Sequence, residues 1–523
     1  MPVGPGETCP GNGDLVINEF TVYPGATEPG YRRLARFPAM TSHRQVFRSS
    51  AIIGGASVIN MVIGIVKVKV LAVLLGPAGI GLMGLYQNIM GMASTLAGCG
   101  MGNSGVRQLA ASADEAETLS IIRRALWLGS LMLGIAGMVI LWLLREPVTQ
   151  WVFGDSAHAS EVGWLGVGLL LTVITGSQTA LLQGLRRIDD LARVSILSAL
   201  VGATVGILVV YLLGKDGVLW FVLTAPAANV LIASYYAARL PHPQVPYDLA
   251  AIQQQWLVML KLGIPLMSAG LLMLTTQLVV RSIVLRELGL EASGYFQAAF
   301  AISMIYVGLV LNAMAMDYFP RLTTAISDHE RVSKLVNEQA EMALLQAGPA
   351  LMAKNTHAPW VIHLLYAQSF SPAAEILRWQ VLGDILKVAS VPIVFIFVAT
   401  GRGGVAIGIQ LIWSAAYLGP LVLGIREFGL VMAGVGFWVA YLVYYIVVAI
   451  VANKQIGFKP TQRNWHFTLL LMLAGGIIML LTARSATAGY AIGSLVTILV
   501  SVYSLRRLDH LLDLTGWLRE KFM

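Results

Sequence analysis

Apolar segments follow one another along this chain from residue 47 to residue 505, separated by short stretches with Gly, Pro or charged residues. A run of about 20 apolar residues spans the hydrocarbon core of a bilayer as an α-helix. Helices are one of the two structures that satisfy every backbone group in lipid. We therefore predict an all-α polytopic membrane protein. Fourteen helices are predicted, at residues 47–75, 82–106, 123–145, 160–183, 192–213, 217–239, 257–285, 292–318, 334–366, 377–400, 404–424, 430–452, 466–483 and 486–505.

The ninth predicted helix is the least regular. Pro349 and the polar run at residues 354–357 interrupt it, so it lacks a continuous apolar core. Such a segment is either broken or buried within the protein, where irregular backbone is tolerated in a membrane. The basic residues favour a segment that crosses, because otherwise every later basic loop would change sides.

Composition and charge support this membrane interpretation. Hydrophobic residues make up 57% of the chain and charged residues 12%, against about 25% charged in soluble domains. The net charge of +8 arises from 35 basic residues. With the N-terminus inside, 24 of them fall in cytoplasmic segments and eight outside, and Lys354 and Arg281 are counted among the outer ones. Excess Lys and Arg marks cytoplasmic loops, so we expect both termini in the cytoplasm and no nucleic-acid partner.

The chain divides into lobes and tails. The first residues are rich in Gly and Pro without the apolar region of a signal peptide, and Met40 is a plausible alternative start. The predicted units are a disordered or mis-started tail at 1–46, a first lobe of helices 1–6 at 47–240, a cytoplasmic linker at 241–256, a second lobe of helices 7–12 at 257–455, and two final helices with a cytoplasmic tail at 456–523.

A weak internal repeat relates the two lobes. Leu75-Gly76 ends the first predicted helix and Leu288-Gly289 ends the seventh. The following helices open with GLYQ at residues 84–87 and GYFQ at residues 294–297. Parallel repeats of this kind are common in transporters, with the substrate site between the halves.

Two lysines lie within the first predicted helix. A cation at the centre of a membrane helix costs roughly 2.5–3.5 kcal/mol on insertion scales, so each needs a reason. Lys67 continues a small, polar stripe that includes Asn60 and Gly64, and we expect it to line a cavity. Lys69 lies about 200° around the helix from Lys67, and it could extend toward the membrane interface instead.

Other polar residues fall at membrane depth on later helices. Gln87 shares a helix face with small residues, and Gln277 and Arg281 lie one turn apart on the seventh predicted helix. Asp384 and Lys387 are three residues apart on the tenth, so they could neutralise each other. An ionisable pair within a membrane is commonly a relay and can also be a static brace.

Motifs for catalysis or metal binding are not found in the sequence. There is no HExxH, GxSxG or Walker pattern, and the eight histidines are scattered. The two cysteines, Cys9 and Cys99, imply no disulfide framework. We therefore expect a protein that is not an enzyme, with no catalytic residue, no metal site and no cofactor other than a possible coupling ion, H⁺ or Na⁺.

Three segments resemble a known family. LLGPAGIGLMGLYQNIM at 74–90, LLQGLRRIDD at 181–190 and WQVLGDILKV at 379–388 closely resemble the lipid-linked oligosaccharide flippases of the polysaccharide transporter family. The nearest members are the O-antigen and enterobacterial common antigen translocases, in the superfamily of multidrug, oligosaccharidyl-lipid and polysaccharide exporters. The similarity covers residues 47–455. It implies two six-helix lobes in a V around a central cationic cavity, in a bacterial inner membrane.

The resemblance implies a substrate and assigns roles. Alternating access would carry an undecaprenyl-diphosphate-linked oligosaccharide from the cytoplasmic to the periplasmic leaflet, with a polysaccharide polymerase and a chain-length regulator as possible partners. Lys69 matches the basic position of the family motif. We expect Lys67, Lys69 and Arg281 to bind the diphosphate, Asn60, Gln87, Gln277 and Gln297 to contact the substrate, and Asp384 and Lys387 to serve coupling or conformational control.

Two other functions fit parts of the pattern. A cation-coupled multidrug antiporter would have a cavity rich in carboxylates, whereas most charges found within the predicted helices are basic. A membrane polysaccharide polymerase or ligase would have a large outer loop, and every predicted outer loop is short.

Overall fold

The computed structural model describes residues 42–112, 115–240, 246 and 248–512. Every regular element in these ranges is helical. Two short 3₁₀ helices lie at Gly214–Asp216 and Gln368–Phe370. The α-helices are α1 (Ser42–Gly98), α2 (Met101–Ala111), α3 (Ala116–Leu143), α4 (Arg145–Phe153), α5 (Ala159–Gly184), α6 (Ile188–Leu213), α7 (Gly217–Ala238), α8 (Leu249–Leu288), α9 (Leu290–Thr324), α10 (His329–Thr356), α11 (Ala358–Leu365), α12 (Ala373–Ala399), α13 (Gly403–Phe428), α14 (Val431–Ile456), α15 (Gln462–Arg484) and α16 (Ala486–Leu512).

The described helices are those of a multi-pass membrane protein. Within the residues that the structure describes, nine apolar helical stretches are long enough to cross a membrane, or ten if the two arms of α8, bent by 53°, form one span. Two of the nine, Ile52–Gly98 and Ile188–Ala238, contain 47 and 51 residues, enough for two crossings each. The outer surface is apolar: Leu143, Leu231 and Leu423 are 72%, 71% and 83% exposed. A surface of this kind is suited to lipid.

The long helices form two groups of six and a terminal pair. The first lobe holds the two arms of α1 with α3, α5, α6 and α7, and the second holds α8, α9, α10, α12, α13 and α14. The main packing pairs are α6 with α7 and α3 with α5 in the first lobe, and α12 with α14 and α13 with α14 in the second. Helices α15 and α16 pack on α10. The all-α fold predicted from the sequence, with two six-helix lobes and a final pair, is confirmed.

The first two predicted helices are one helix with a kink. Gly76 lies inside α1 with φ 64° and ψ −171°, and Pro77 follows it. Gly289, between α8 and α9, has φ 87° and ψ 176°. Glycine adopts positive φ without the steric penalty that other residues meet. The repeat seen in the sequence is therefore present in the backbone, and the helix end predicted at residue 75 coincides with the break in α1 at Gly76.

The two lobes touch where these kinks occur. A Cβ placed on Gly81 would lie 2.5 Å from the Leu290 carbonyl oxygen, and one on Gly294 would collide with the Pro77 carbonyl oxygen. Each of these two glycines lies five residues after its kinked glycine. The structural counterpart of Gly294 is therefore Gly81 and not Gly84, which corrects the alignment made from the GLYQ and GYFQ motifs.

The predicted linker is partly helical. The Asp248 side chain accepts hydrogen bonds from the backbone N–H groups of Ala250 and Ala251, at 2.9 and 3.2 Å, so it caps α8 one residue before Leu249. Trp256 donates from its indole nitrogen to the Ala125 carbonyl at 2.7 Å. Residues 249–256 of the predicted linker are thus the first turns of α8. Residues 241–245 and 247 of that linker, and residues 1–41 of the predicted tail, lie outside the described residues.

The ninth predicted helix is both broken and buried, so each of the two possibilities left open by its polar run is observed. Helix α10 ends at Thr356 and α11 begins at Ala358, while Pro349 remains inside α10. Lys354 lies in the last turn of α10 and is only 9% exposed. Its assignment to the outer loop charges was therefore wrong, and so was that of Arg281, which is 6% exposed within α8.

Candidate functional site

Lys69 connects the two lobes. Its ammonium group donates a hydrogen bond of 2.6 Å to the backbone carbonyl of His363, in α11 of the second lobe. The side chain is half-buried on the first arm of α1, seven residues before the Gly76 kink. The local helix sets the direction of this side chain, and the second lobe supplies its partner.

Arg281 makes a second connection, in the opposite direction. It belongs to α8, and one guanidinium nitrogen donates to the Gly84 carbonyl on the second arm of α1 at 2.7 Å. The guanidinium also lies 5.8 Å from the centroid of the Phe300 ring. Its Nε is buried without a hydrogen-bond partner. A buried guanidinium with unused donor capacity is suited to bind an oxyanion.

Gly84 allows Arg281 and Gln297 to approach the same point. A Cβ at Gly84 would lie 2.8 Å from the Gln297 side-chain amide and 2.9 Å from the Arg281 guanidinium. The Gln297 carbonyl oxygen is buried and has no hydrogen-bond partner among the described residues. The structure therefore brings Arg281 and Gln297 together, and any side chain at position 84 would displace them.

The two cations connect the lobes in opposite directions. Lys69 of the first lobe donates to the His363 carbonyl of the second lobe, and Arg281 of the second lobe donates to the Gly84 carbonyl of the first lobe. Among the described residues, no carboxylate pairs with Lys69 or with Arg281. Backbone carbonyls provide hydrogen bonds without neutralising charge. Two such cations on facing lobes form a candidate site for an anionic group, which we call the inter-lobe site: Lys69, Arg281 and Gln297.

Lys67 and Asn60 lie on another side of α1. The Lys67 ammonium is 5.8 Å from the centroid of the Phe221 ring in α7, a distance at which cation–π attraction operates. The Asn60 amide donates to the Ser195 hydroxyl in α6 at 2.6 Å. Both contacts are within the first lobe. The predicted site residues of the first helix therefore do not form one group, and Lys69 alone joins the inter-lobe site.

Two predicted glutamines stay apart from these contacts. Gln87 is exposed on the second arm of α1, and Gln277 is half-buried one turn before Arg281. Neither side chain has a hydrogen bond among the described residues. Both side chains lie free on the surfaces of their helices. Within the described ranges, no side-chain hydrogen bond connects either of them with the inter-lobe residues.

Asp384 belongs to a different cluster, inside the second lobe. It is fully buried, its carboxylate lies 3.5 Å from the Lys354 ammonium, and Ser303 donates to it at 2.7 Å. Lys387 instead contacts the Met304 sulfur at 3.1 Å and lies 5.6 Å from the Tyr441 ring. The expected pairing of Asp384 with Lys387 is corrected: the ion pair is with Lys354.

This buried cluster contains residues that the sequence did not indicate. Lys354 and Ser303 come from α10 and α9, whereas Asp384 lies on α12, so no spacing along one helix could reveal them. Gln380, one turn before Asp384, is fully buried, and neither end of its amide has a partner among the described residues. One carboxylate oxygen of Asp384 is also unpaired. We call Lys354, Asp384, Lys387, Ser303 and Gln380 the second-lobe cluster.

The chain matches a model of a protein family. The family is described as "polysaccharide biosynthesis protein", and the match covers residues 46–325, from the first arm of α1 through the end of α9.

A named relative is similar over much of this region. The lipid III flippase of Escherichia coli (strain K12) is 23% identical over 339 residues, which cover 62% of this chain and 79% of that protein.

Solved transporter structures share the fold. The lipid II flippase MurJ, in an inward closed conformation, superposes with a TM-score of 0.67 over 87% of this chain and 98% of that chain, at 12% identity. An inward-facing multidrug resistance transporter of the MATE family has a TM-score of 0.61 over 77% of this chain and 94% of that chain, at 18% identity. These matches confirm the resemblance that the sequence motifs carry and the transporter fold that it implies.

Proposed function

This chain belongs to the polysaccharide biosynthesis protein family, and from that premise we propose that it is a flippase for a lipid-linked oligosaccharide. It would carry an undecaprenyl-diphosphate-linked glycan from the cytoplasmic to the periplasmic leaflet by alternating access. The similarity to the lipid III flippase and the fold shared with the lipid II flippase support this proposal. The activity is transport, without a chemical change in the substrate.

The inter-lobe site is the observation that carries the proposal. Lys69 and Arg281 reach across from opposite lobes, and within the described part of the chain their hydrogen bonds go only to carbonyls. A diphosphate offers each cation a charge-assisted bond, which is roughly twice as strong as a neutral one. Substrate would replace the carbonyl contacts, so binding and the separation of the lobes would be linked. Lys67 faces α7 and would influence diphosphate binding less directly.

The second-lobe cluster is our proposed element for coupling or conformational control. Asp384 keeps one unpaired oxygen beside Gln380, which leaves room for a proton. Two lysines within this cluster disfavour a Na⁺ ion by repulsion. The described residues contain no group of three or more His, Cys, Asp or Glu that could hold a metal. We therefore favour H⁺ over Na⁺ as the coupling ion.

The alternatives are less consistent with these sites. A multidrug antiporter shares the fold, but a cationic drug would meet two cations without a carboxylate in the inter-lobe site. A polymerase or ligase would need acceptor chemistry, and the inter-lobe site offers only binding groups. We place the flippase in a bacterial inner membrane with both termini cytoplasmic, where a polymerase and a chain-length regulator would be its partners.

A flipping assay in proteoliposomes tests the proposal. Purified protein would be reconstituted with a fluorescent polyprenyl diphosphate that carries a short glycan, and its transfer between leaflets followed by quenching. We expect Lys69→Ala and Arg281→Ala each to lower the initial rate by about tenfold or more, since one charge-assisted bond is worth roughly 1.5–3 kcal/mol.

The control is Arg426, an arginine outside the inter-lobe site. Arg426 is exposed and forms a surface ion pair with Glu287 at 2.9 Å, so Arg426→Ala should leave the rate nearly unchanged. Wild-type levels of transfer by the Lys69→Ala, Arg281→Ala double variant would overturn the role of the inter-lobe site. Absence of any transfer by the folded wild-type protein would overturn the flippase itself.

A further inference from the structure

A cavity between the first lobe and α8 of the second lobe takes no part in the sites described above. It has a volume of about 500 Å³ and lies among α1, α2, α3 and α5, with α8 as its remaining wall. Ligand sites in proteins commonly measure roughly 300–1,000 Å³. None of the described residues that line it is charged, and most are Gly, Ser or Thr. Its chemistry therefore differs from that of the inter-lobe site.

The hydroxyl groups of this cavity are oriented to accept hydrogen bonds. Ser94, Thr172 and Ser177 each donate to a backbone carbonyl three or four residues earlier in their own helix, at 2.6, 2.7 and 2.7 Å. A hydroxyl has one hydrogen and two lone pairs. Because the hydrogen is already used, these three groups offer lone pairs to the cavity and suit a ligand that donates from several O–H groups.

Ser130 is the observation that points to a ligand. It lines the cavity from α3 and is only 4% exposed, yet its hydroxyl has no hydrogen-bond partner among the described residues. The Ser130 hydroxyl lines the cavity and is free to form a hydrogen bond with a ligand there. Asn103 adds an exposed amide, with both donors and an acceptor, at the cavity edge. A ligand that both accepts and donates hydrogen bonds would satisfy Ser130 and Asn103.

Gly176 gives the cavity a wall without side chains. A Cβ at this position would meet no atom within 4 Å, so its face opens directly into the cavity. A flat, apolar ring face can lie against such a wall, while its hydroxyls reach the groups on either side. A pyranose ring has this combination of faces and edges.

We propose that this cavity binds an uncharged sugar unit of the transported glycan. The diphosphate would be held by the cations of the inter-lobe site and the neutral sugar by Ser130, Asn103 and the accepting hydroxyls. A carboxylated sugar would place a negative charge beside the lone pairs of these hydroxyl groups. None of the described residues that line the cavity is a cation that could pair with this charge, so its burial there is unfavourable. The inference rests on the proposed flippase function and adds selectivity for neutral sugars.

Binding measurements on the purified full chain test this inference. The probes are three synthetic polyprenyl diphosphates: one with a neutral hexose disaccharide, one with a hexuronic acid in place of the outer hexose, and one without sugar. We expect the wild-type protein to bind the neutral disaccharide lipid most tightly. Gly176→Leu, which fills the cavity, should weaken that binding by about tenfold or more, equivalent to about 1.4 kcal/mol, and leave the sugar-free lipid within about twofold.

A second variant keeps the test independent of the size change at Gly176. Ser130→Ala should weaken binding of the neutral disaccharide lipid by roughly threefold to tenfold, the worth of one hydrogen bond. Ser198→Ala is its matched control. Ser198 is also 4% exposed and its hydroxyl also lacks a partner, but it lies on α6 outside the cavity. Ser198→Ala should leave all three affinities unchanged.

The outcomes separate this inference from the proposed function. If Gly176→Leu and Ser130→Ala bind the disaccharide lipid as tightly as the wild-type protein, the cavity is not the sugar site, whereas loss of sugar-free lipid binding in Lys69→Ala would still support the flippase. Equal wild-type affinity for the neutral and carboxylated lipids would overturn the selectivity. If the wild-type protein binds none of the three lipids, the proposed function itself is wrong.

Discussion

The inter-lobe site and the second-lobe cluster both hold basic side chains at membrane depth, but they manage the charge differently. In the cluster, Lys354 is paired with the Asp384 carboxylate inside one lobe. In the inter-lobe site, Lys69 and Arg281 bond to carbonyls of the opposite lobe. Charge that is neutralised within a lobe stabilises that lobe. Charge that lacks a counter-ion between lobes is available to a ligand.

The comparison shows that one fold can keep the charged residues that stabilise it apart from those that bind a ligand. A buried ion pair adds little net stability, but removal of one partner is costly because the other charge remains. Removal of a cation that has no counter-ion breaks only its hydrogen bonds and leaves no unpaired charge behind. We therefore expect substitutions in the cluster to affect folding and substitutions in the inter-lobe site to affect binding.

The largest expected effect comes from the removal of the one acid in the cluster. Asp384→Asn would leave the buried Lys354 and the half-buried Lys387 without a counter-charge, and we expect a loss of about 3–5 kcal/mol in stability. Thermal unfolding in detergent would measure it. The double variant Asp384→Asn, Lys354→Met should recover part of the loss. A single variant as stable as the wild-type protein would contradict the contrast between the two sites.

A carboxylate added to the inter-lobe site should neutralise a cation there, as Asp384 does in the second-lobe cluster. Gln297→Glu keeps the side-chain shape and places a carboxylate near Arg281, since both side chains approach Gly84. We expect the affinity for a sugar-free polyprenyl diphosphate to fall by about tenfold, or about 1.4 kcal/mol, with no loss of thermal stability. Gln253→Glu, exposed in the first turns of α8, is the control. Unchanged affinity in Gln297→Glu would show that the site does not bind the anion.

The glycine contact between the lobes offers a third test. Gly294→Ala would place a Cβ against the Pro77 carbonyl, and overpacking of this kind costs roughly 1–3 kcal/mol. Because the strain lies between lobes, we expect the distance between spin labels on the two lobes to increase. Gly476→Ala, where a Cβ meets open space, should change neither the distance nor the stability by much. An unchanged distance in Gly294→Ala would mean that this contact does not hold the lobes together.

The smallest effect is expected at Lys67. Its contact with the Phe221 ring is worth about 0.5–1 kcal/mol at exposed sites, and it faces α7 instead of the second lobe. Lys67→Met should therefore lower the unfolding temperature only slightly and leave the affinity for the sugar-free diphosphate lipid within about twofold. A loss as large as that of Lys69→Ala would return Lys67 to the diphosphate site.

Much of the fold was predictable because its signals are local. Apolar runs located the helices, since each must satisfy its own backbone in lipid. The polar run at residues 354–357 marked a segment that is both broken and buried, the two possibilities that the sequence left open. Gly76 and Gly289 marked equivalent turns, and both have positive φ. The wrong alignment at Gly84 and the missed start of α8 arose where a short motif or a polar composition was used without knowledge of the neighbouring helix.

The sequence by itself determined that the membrane helices carry unusual cations and that Lys67 and Lys69 point in different directions, because helical periodicity fixes the angle between them. Only the tertiary structure showed that Lys69, and not Lys67, faces the other lobe. It also replaced Lys387 with Lys354 as the partner of Asp384, and it joined Arg281 to Gly84. Side-chain direction follows from a few residues of local geometry, whereas partners from separate helices depend on how whole lobes pack.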